Sequence, residues 1–162
     1  MRLSLMLRSV AATAIPITVA GIGPLWLISA TTPIAIAPWR WIFLAPMVAG
    51  VCFGAWSVVL FAIVGRGTLA PIDPPTAFVA RGPYQFTRNP MYVGVSCWLL
   101  GLAALTNARI LWWYALGAML GFHAFVVLYE EPNLRRRFGA SYDAYTQHVP
   151  RWLGRRRGTP AT

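Results

Sequence analysis

Two adjacent carboxylates, Glu130 and Glu131, are the residues of this sequence whose type and position most clearly predict chemistry. The chain has only four acidic residues, and these two directly follow a long uncharged apolar stretch. The carboxyl end of a helix is already negative, so two carboxylates placed there need a positive group beside them. Two interpretations remain open: a salt bridge to Arg135 or another nearby arginine, or a binding site for a cationic ligand.

His123 is the second residue that could take part in chemistry, because it lies inside the same apolar stretch. It precedes Glu130 by seven residues, which is two helical turns or about 10 Å along one helix face. An ionisable residue at that depth in a membrane span is a functional candidate. The alternative is a neutral histidine hydrogen-bonded to another helix. Gly117 and Gly121 have the spacing of a helix-packing pair, so we expect a neighbouring helix to approach them closely.

Asn89 and Pro90 predict the start of another helix, because Asn is favoured at the N-cap and Pro at the first helical position. Tyr92 falls on the same helix face as Asn89. The unpaired backbone N–H groups of a helix start attract anions. A helix start of this kind beside the two carboxylates would suit a zwitterionic ligand that carries an additional cationic centre.

The composition places these residues in a membrane protein. Hydrophobic residues make up 57% of the 162 residues and charged residues only 11%, with a mean hydropathy of +0.56. A soluble domain needs about a quarter of its residues charged, and a disordered chain is poor in apolar residues. The net charge of +10 comes entirely from arginine. Because these arginines flank apolar stretches, we expect a lipid bilayer as partner and no nucleic acid.

Four uncharged stretches are each long enough to cross the bilayer, which needs about 20 residues of helix. A signal peptide is the alternative for the first stretch, but its apolar run is longer than such a peptide needs. Neither Cys52 nor Cys97 has a partner that would suggest a disulfide or a metal pair, so no metal site is predicted. The predicted fold is all-α, a single membrane domain over residues 1–162, with two transmembrane helices in 1–65 and a loop, a transmembrane hairpin and a C-terminal helix in 66–162. The stretches are Ser9–Trp39, Trp41–Gly65, Asn89–Ala108 and Ile110–Tyr129.

The arginines also predict the orientation of the chain in a cell membrane. With four spans, twelve arginines fall on one side and two, Arg40 and Arg109, on the other. The positive-inside rule then places both termini and the central loop in the cytoplasm.

The segment after Tyr129 carries a separate pattern. Pro132 disfavours helical geometry at the residue before it, so we expect the fourth span to end or kink there and a new helix to begin. Apolar residues then recur at spacings of three and four, which predicts one amphipathic helix lying at the membrane surface. These residues are Leu134, Phe138, Tyr142, Tyr145 and Val149.

Short motifs occur in order over more than half of the chain. They are Gly65-Arg66-Gly67-Thr68, Pro71, Asp73-Pro74-Pro75, Arg81-Gly82-Pro83-Tyr84, Arg88-Asn89-Pro90-Met91-Tyr92, Gly94, His123, Glu130-Glu131-Pro132, Leu134, Phe138-Gly139, Tyr142, Tyr145 and Val149-Pro150-Arg151-Trp152. As a set, they resemble the isoprenylcysteine carboxyl methyltransferase and phospholipid methyltransferase superfamily.

The resemblance implies an all-helical integral-membrane methyltransferase that uses S-adenosylmethionine without a Rossmann domain. The chain is consistent with this, because it has no GxGxxG fingerprint between a strand and a helix. One departure is Asn89, where the eukaryotic carboxyl methyltransferases usually have His, so an acid–base role at this position does not carry over. The cofactor-binding residues implied are Tyr84, Arg88, Asn89, Pro90, Tyr92, His123, Glu130 and Glu131.

The expected acceptor is a lipophilic or amphiphilic small molecule, such as an isoprenylcysteine-like carboxylate, a thiol or a lipid amine. The candidate catalytic residues are Arg137 and Arg151, which could orient an anionic acceptor, and Tyr142 and Tyr145, which could cover the site. Contact with lipid headgroups is the alternative for both arginines. Two other functions stay open: a non-catalytic membrane accessory protein of the same fold, and a small four-span transporter.

Overall fold

The computed structural model describes residues 18–30, 36–65 and 80–154, and within these ranges the chain forms helices and no strand. The predicted all-α class is therefore confirmed. Most of the central loop, the start of the first predicted span and Arg155–Arg157 lie outside the described residues. The helices are α1 (Gly23–Ser29), α2 (Leu44–Gly65), α3 (Pro90–Thr106), α4 (Arg109–Phe125), α5 (Glu131–Phe138) and α6 (Ala140–His148); 3₁₀ turns span Pro38–Phe43 and Gly82–Gln85, and π turns span Thr18–Ile22 and Val126–Glu130.

Glycines set the close packing of α2 against α3. A Cβ atom on Gly94 would lie 2.6 Å from the backbone oxygen of Gly50 and 3.0 Å from the Cα of Gly54. Further along the pair, a Cβ on Gly101 would clash with the side chain of Met47. Since these positions lack a side chain, the two backbones approach closely, as small residues allow in membrane helices.

A two-residue turn joins α3 to α4 as an antiparallel hairpin. α3 ends at Thr106, and the next residue, Asn107, adopts the left-handed conformation (φ 56°) and donates its N–H to the carbonyl of Ala103. This is a standard helix ending, and Asn tolerates it better than most residues. Near the same end, Arg40 donates from Nη1 to the carbonyl of Ala104 at 3.1 Å, where a positive group complements the helix dipole.

The segment before α1 is attached to the hairpin by side chains of α3 and α4. Trp98 donates from its indole N–H to the carbonyl of Ala20 at 2.8 Å, and Tyr114 donates its hydroxyl to the carbonyl of Val19 at 2.9 Å. Both carbonyls belong to a π turn. Away from water an unpaired carbonyl is costly, so these two hydrogen bonds stabilise the docking of this segment.

Two helical segments are long and apolar enough to cross a membrane, Pro38–Leu60 and Arg109–Phe138. Large apolar side chains on their outer faces are exposed, among them Val48, Trp113 and Leu120, as expected for a surface in contact with lipid. α3 is a shorter apolar helix of 17 residues. The structure thus supports two spans, and the predicted total of four stays a prediction.

One local prediction is confirmed and two differ from the structure. As predicted, a new helix begins at Pro132: α5 starts at Glu131 with Pro132 in its first turn, and the helical backbone continues into it from α4 through the π turn. A π turn precedes the proline, and its wider ring leaves room where an α-turn would clash. The single amphipathic helix is instead two helices, because Gly139 (φ 48°) breaks the chain between α5 and α6. Gly117 and Gly121 are exposed and meet no described helix.

Candidate functional site

The candidate site lies at one end of the helices, where the start of α3 meets the end of α4 and the helices α5 and α6. The π turn Val126–Glu130 leads directly into α5, so Glu130 and Glu131 project from consecutive positions of one continuous helix. α3 begins at Pro90, as predicted, with Asn89 at the N-cap. The antiparallel hairpin therefore brings the predicted helix start and the predicted carboxylates to the same end of the molecule.

Glu130 contacts α3 through Tyr92. The Tyr92 hydroxyl donates to Oε1 of Glu130 at 2.8 Å, and the Tyr92 ring lies 4.9 Å from that of Phe122 on α4. Glu130 is partly buried. In the part of the chain that the structure describes, no hydrogen bond or ion pair involves its second carboxylate oxygen. Glu130 therefore keeps one oxygen available for a ligand.

Glu131 has a different environment, because two arginines bind its carboxylate. Arg151 binds both oxygens, with Nε at 2.6 Å from Oε1 and Nη2 at 2.9 Å from Oε2. Arg88 adds Nη1 at 3.0 Å from Oε1. The salt-bridge interpretation therefore holds for Glu131, although Arg135 pairs instead with the exposed Asp143 at 2.8 Å.

Arg88 is one of the most deeply buried charged groups of the site, with its side chain 7% exposed. Its Nε atom is buried and has no hydrogen-bond partner in the described part of the chain. A buried donor without a partner is rare, and each case needs a physical explanation. Two guanidinium groups share the one carboxylate of Glu131, so this corner of the site also carries an excess of positive charge.

Residues 149–152, which we call the C-terminal strap, lie across the start of α3. The carbonyl of Arg151 accepts two hydrogen bonds, from the Thr87 hydroxyl at 3.0 Å and from the Asn89 side-chain amide at 2.9 Å. The backbone N–H of Arg88 donates to the carbonyl of Pro150 at 3.0 Å. Asn89 thus occupies its predicted position, but its side chain binds the strap rather than capping the helix.

Three tyrosines lie together beneath this strap. Tyr145 donates its hydroxyl to the carbonyl of Tyr84 at 2.6 Å, and its ring lies 6.3 Å from that of Tyr142, which is almost fully buried. Burial raises the pKa of Tyr84, Tyr142 and Tyr145 above the usual value for tyrosine. These phenols are therefore neutral at physiological pH, and the hydroxyl of Tyr145 acts as a hydrogen-bond donor.

His123 and Arg137 lie at the edge of this arrangement. Nδ1 of His123 accepts a hydrogen bond from the indole N–H of Trp152 at 3.1 Å, and both groups are near the surface. His123 therefore contacts the strap rather than Glu130. Arg137 is exposed, with its guanidinium carbon 6.0 Å from the ring of Phe138. The structure brings the other predicted residues together, places His123 at their edge and leaves Arg137 outside the cluster.

Sequence reasoning did not assign a role to Thr87, Phe122 or Trp152. Thr87 is fully buried and binds the strap, Phe122 packs on Tyr92, and Trp152 reaches His123. The position of Thr87 beside the helix start was the available signal, because a small hydroxyl residue before an N-cap often bonds to a nearby backbone. The partners of Phe122 and Trp152 lie on other helices, and no local pattern indicates them.

Comparison with known proteins gives one match. A sequence model described as phospholipid methyltransferase matches residues 39–141, from the turn before α2 to the first residues of α6. The matched region includes Tyr84, Arg88, Asn89, Tyr92 and the two carboxylates, and it ends before Arg151. No curated protein and no solved structure matches the chain.

Proposed function

The chain belongs to the phospholipid methyltransferase family, and from that premise we propose that it is an integral-membrane methyltransferase that uses S-adenosylmethionine. Its acceptor is a lipophilic or amphiphilic small molecule, such as a lipid amine, a thiol or an isoprenylcysteine-like carboxylate. The proposal rests on one observation: a carboxylate and a buried guanidinium group, each with unused hydrogen-bonding capacity, meet at the same end of the helices.

The residues present fit the charged end of this cofactor. Glu130 offers a carboxylate oxygen that the described chain leaves unused, and Arg88 offers an Nε–H without a partner. The methionine part of the cofactor carries an ammonium and a carboxylate, which are the complementary groups. We assign the ammonium to Glu130 and the carboxylate to Arg88. Charge-assisted hydrogen bonds of this kind are among the stronger polar contacts in proteins.

Tyr92 holds Glu130 in place for this role. Its hydroxyl donates to Oε1 at 2.8 Å, so the carboxylate keeps a fixed direction and needs little reordering when it binds an ammonium. The contact between the Tyr92 and Phe122 rings in turn fixes the phenol. Such preorganisation reduces the entropic cost of ligand binding. Pro90 contributes by starting α3 at the residue that places Tyr92 opposite Glu130.

The bound cofactor supplies a methyl group on a sulfonium, which leaves by in-line displacement and requires alignment more than proton transfer. The chain therefore needs to exclude water and to orient two partners. The buried Tyr84 and Tyr142 and the half-buried Tyr145 form an aromatic wall with neutral hydroxyl groups. We propose that this wall shields the reacting centre and that the acceptor enters sideways from the lipid, because the described chain has no separate soluble domain.

The test is cofactor binding to the purified protein in lipid nanodiscs, measured by calorimetry. Glu130→Gln removes the charge that faces the ammonium, so we expect the affinity to fall about tenfold or more, or at least ~1.4 kcal/mol. The matched control is Asp143→Asn, which removes an exposed carboxylate that pairs with Arg135 at the same end of the molecule. We expect this variant to bind like the wild type.

Two outcomes would contradict the proposal in different ways. A wild-type protein without affinity for S-adenosylmethionine would refute the function and favour the accessory-protein or transporter alternatives. Wild-type affinity in Glu130→Gln would leave the function standing and refute the role of this carboxylate. A methylation assay with lipid amines, prenylcysteine analogues and small thiols then identifies the acceptor. Efficient methylation of only water-soluble polar acceptors would refute entry from the lipid.

A further inference from the structure

The C-terminal strap lies outside the region that matches the family, yet it makes a large share of the polar contacts at the site. Three consecutive residues before α3 donate hydrogen bonds to it, from the Thr87 hydroxyl, the Arg88 backbone and the Asn89 amide. Thr87 is fully buried and Asn89 nearly so. Hydrogen bonds between buried groups are costly to break, so the strap is firmly held over the start of α3.

The side chain of Arg151 fastens the strap to the opposite helix. Its guanidinium group binds both oxygens of Glu131 at 2.6 and 2.9 Å. This bidentate geometry is the strongest form of an arginine–carboxylate pair. It uses the Nε and Nη2 groups of Arg151 and engages both oxygens of Glu131. Both oxygens of Glu131 are therefore bound by arginine, whereas one oxygen of Glu130 is unused in the described part of the chain.

Arg88 depends on the same ion pair. It shares Oε1 of Glu131 with Arg151, with 3.0 Å between Nη1 and the oxygen. If Arg151 were absent, Arg88 would be the remaining partner of a buried carboxylate and would be drawn onto both oxygens. If Glu131 were neutral, the buried guanidinium group of Arg88 and the partly exposed one of Arg151 would lie side by side without the carboxylate that they share, which is unfavourable. Either change displaces the guanidinium group of Arg88.

We propose that Glu131 and Arg151 are positioning residues: their ion pair holds Arg88 in the place where it receives the anionic end of the cofactor and closes the strap over the start of α3. This role rests on the proposed function, and it separates the two adjacent carboxylates. Glu130 contacts the cofactor, whereas Glu131 acts on the cofactor through Arg88.

The test is a double-mutant cycle with Glu131→Gln, Arg151→Met and the double variant, using cofactor KM, acceptor KM and kcat in nanodiscs. We expect each single variant to raise the cofactor KM about tenfold, which corresponds to ~1.4 kcal/mol. The acceptor KM should stay unchanged. Both changes break the same ion pair, so the cofactor KM of the double variant should be no higher than that of the more strongly affected single variant. Arg151→Lys keeps the charge and should recover part of the loss.

Arg135→Met is the matched control, because Arg135 also pairs with a carboxylate, Asp143, but at the exposed surface. We expect its cofactor KM to equal that of the wild type. Multiplicative losses in the double variant would overturn the proposal. So would a lower kcat with unchanged cofactor KM, since that pattern reports only a loss of folded enzyme. A raised acceptor KM in Arg151→Met would instead show that Arg151 orients the acceptor.

The failure of this proposal is distinguishable from a failure of the proposed function. A wild-type protein that does not bind S-adenosylmethionine refutes the function, and the positioning role with it. A wild-type protein that binds the cofactor, together with a Glu131→Gln variant of equal affinity, refutes the positioning role alone.

Discussion

At the scale of single residues, Asn89 shows that a residue at a helix start can bind a distant segment of the chain instead of capping its own helix. Its side-chain amide donates to the carbonyl of Arg151 at 2.9 Å, and its own backbone N–H donates to the Thr87 hydroxyl. A histidine in this place also offers an N–H donor. The position therefore requires a side chain that donates a hydrogen bond to the strap, and this role does not need a titratable group.

This role predicts which replacements of Asn89 the protein tolerates. Asn89→Leu has a similar volume but no donor, so it should lower the free energy of unfolding by about 1 kcal/mol, a typical value for one buried hydrogen bond. Asn89→His should stay closer to the wild type. Thermal denaturation of the detergent-purified variants measures both. Equal stability of the leucine variant and the wild type would show that the hydrogen bond contributes nothing.

At the scale of the elements, the position of the glycines decides how the helices pack. The pair Gly117 and Gly121 has the familiar spacing, yet a Cβ on either would meet no described atom within 4 Å. The close contact is instead between Gly50 and Gly94, on α2 and α3. Spacing along one helix thus indicates a possible packing face, and the partner helix determines whether that face is used.

Alanine substitutions distinguish these two kinds of glycine. Gly94→Ala would place a methyl group 2.6 Å from the backbone oxygen of Gly50, so α2 and α3 must separate, at a cost of about 1–3 kcal/mol. The methyl group of Gly117→Ala would meet no described atom within 4 Å, and the substitution should be neutral or slightly stabilising, because alanine favours the helix. The melting temperatures in detergent give the comparison. A Gly117→Ala variant less stable than Gly94→Ala would contradict the packing described here.

At the scale of the whole molecule, charge and apolar length together orient the site. Arg88, Arg151 and both carboxylates of the site lie at one end of the helices, and Arg40 lies at the other end, where it binds the carbonyl of Ala104. The arginine-rich end should face the cytoplasm, because positive residues are retained there. A soluble, charged cofactor would then reach the site from the cytoplasmic surface.

Reporter fusions test this orientation. Reporters at Thr162 and near Asp73 should lie on the same, cytoplasmic side, and a reporter near Thr32 should lie on the opposite side. The reason is the unequal distribution of arginine over the two sides, twelve against two for four spans. Reporters at Thr162 and Asp73 that fell on opposite sides would show that the number of spans between them is odd.

Much of the fold followed from the sequence, because the signals concerned are local. The low charge and long apolar stretches indicated membrane helices, and Asn-Pro marked the start of α3 at Pro90, where the structure has it. Such signals depend on residues within a few positions of each other. The same locality explains one error: the apolar spacing continues through Gly139, yet the backbone breaks there and two helices form instead of one.

The sequence by itself determined which charged residues are available. It has four carboxylates and fourteen arginines, and several of them lie in the motifs that indicate the family. Only the tertiary structure decided which arginine binds which carboxylate. Glu131 pairs with Arg88 and Arg151 rather than with the neighbouring Arg135, and Glu130 is left with Tyr92. The physical reason is distance along the chain. These partners belong to different helices and to the strap, so they meet only after the helices have packed, and no spacing in the sequence records which of them will come within reach.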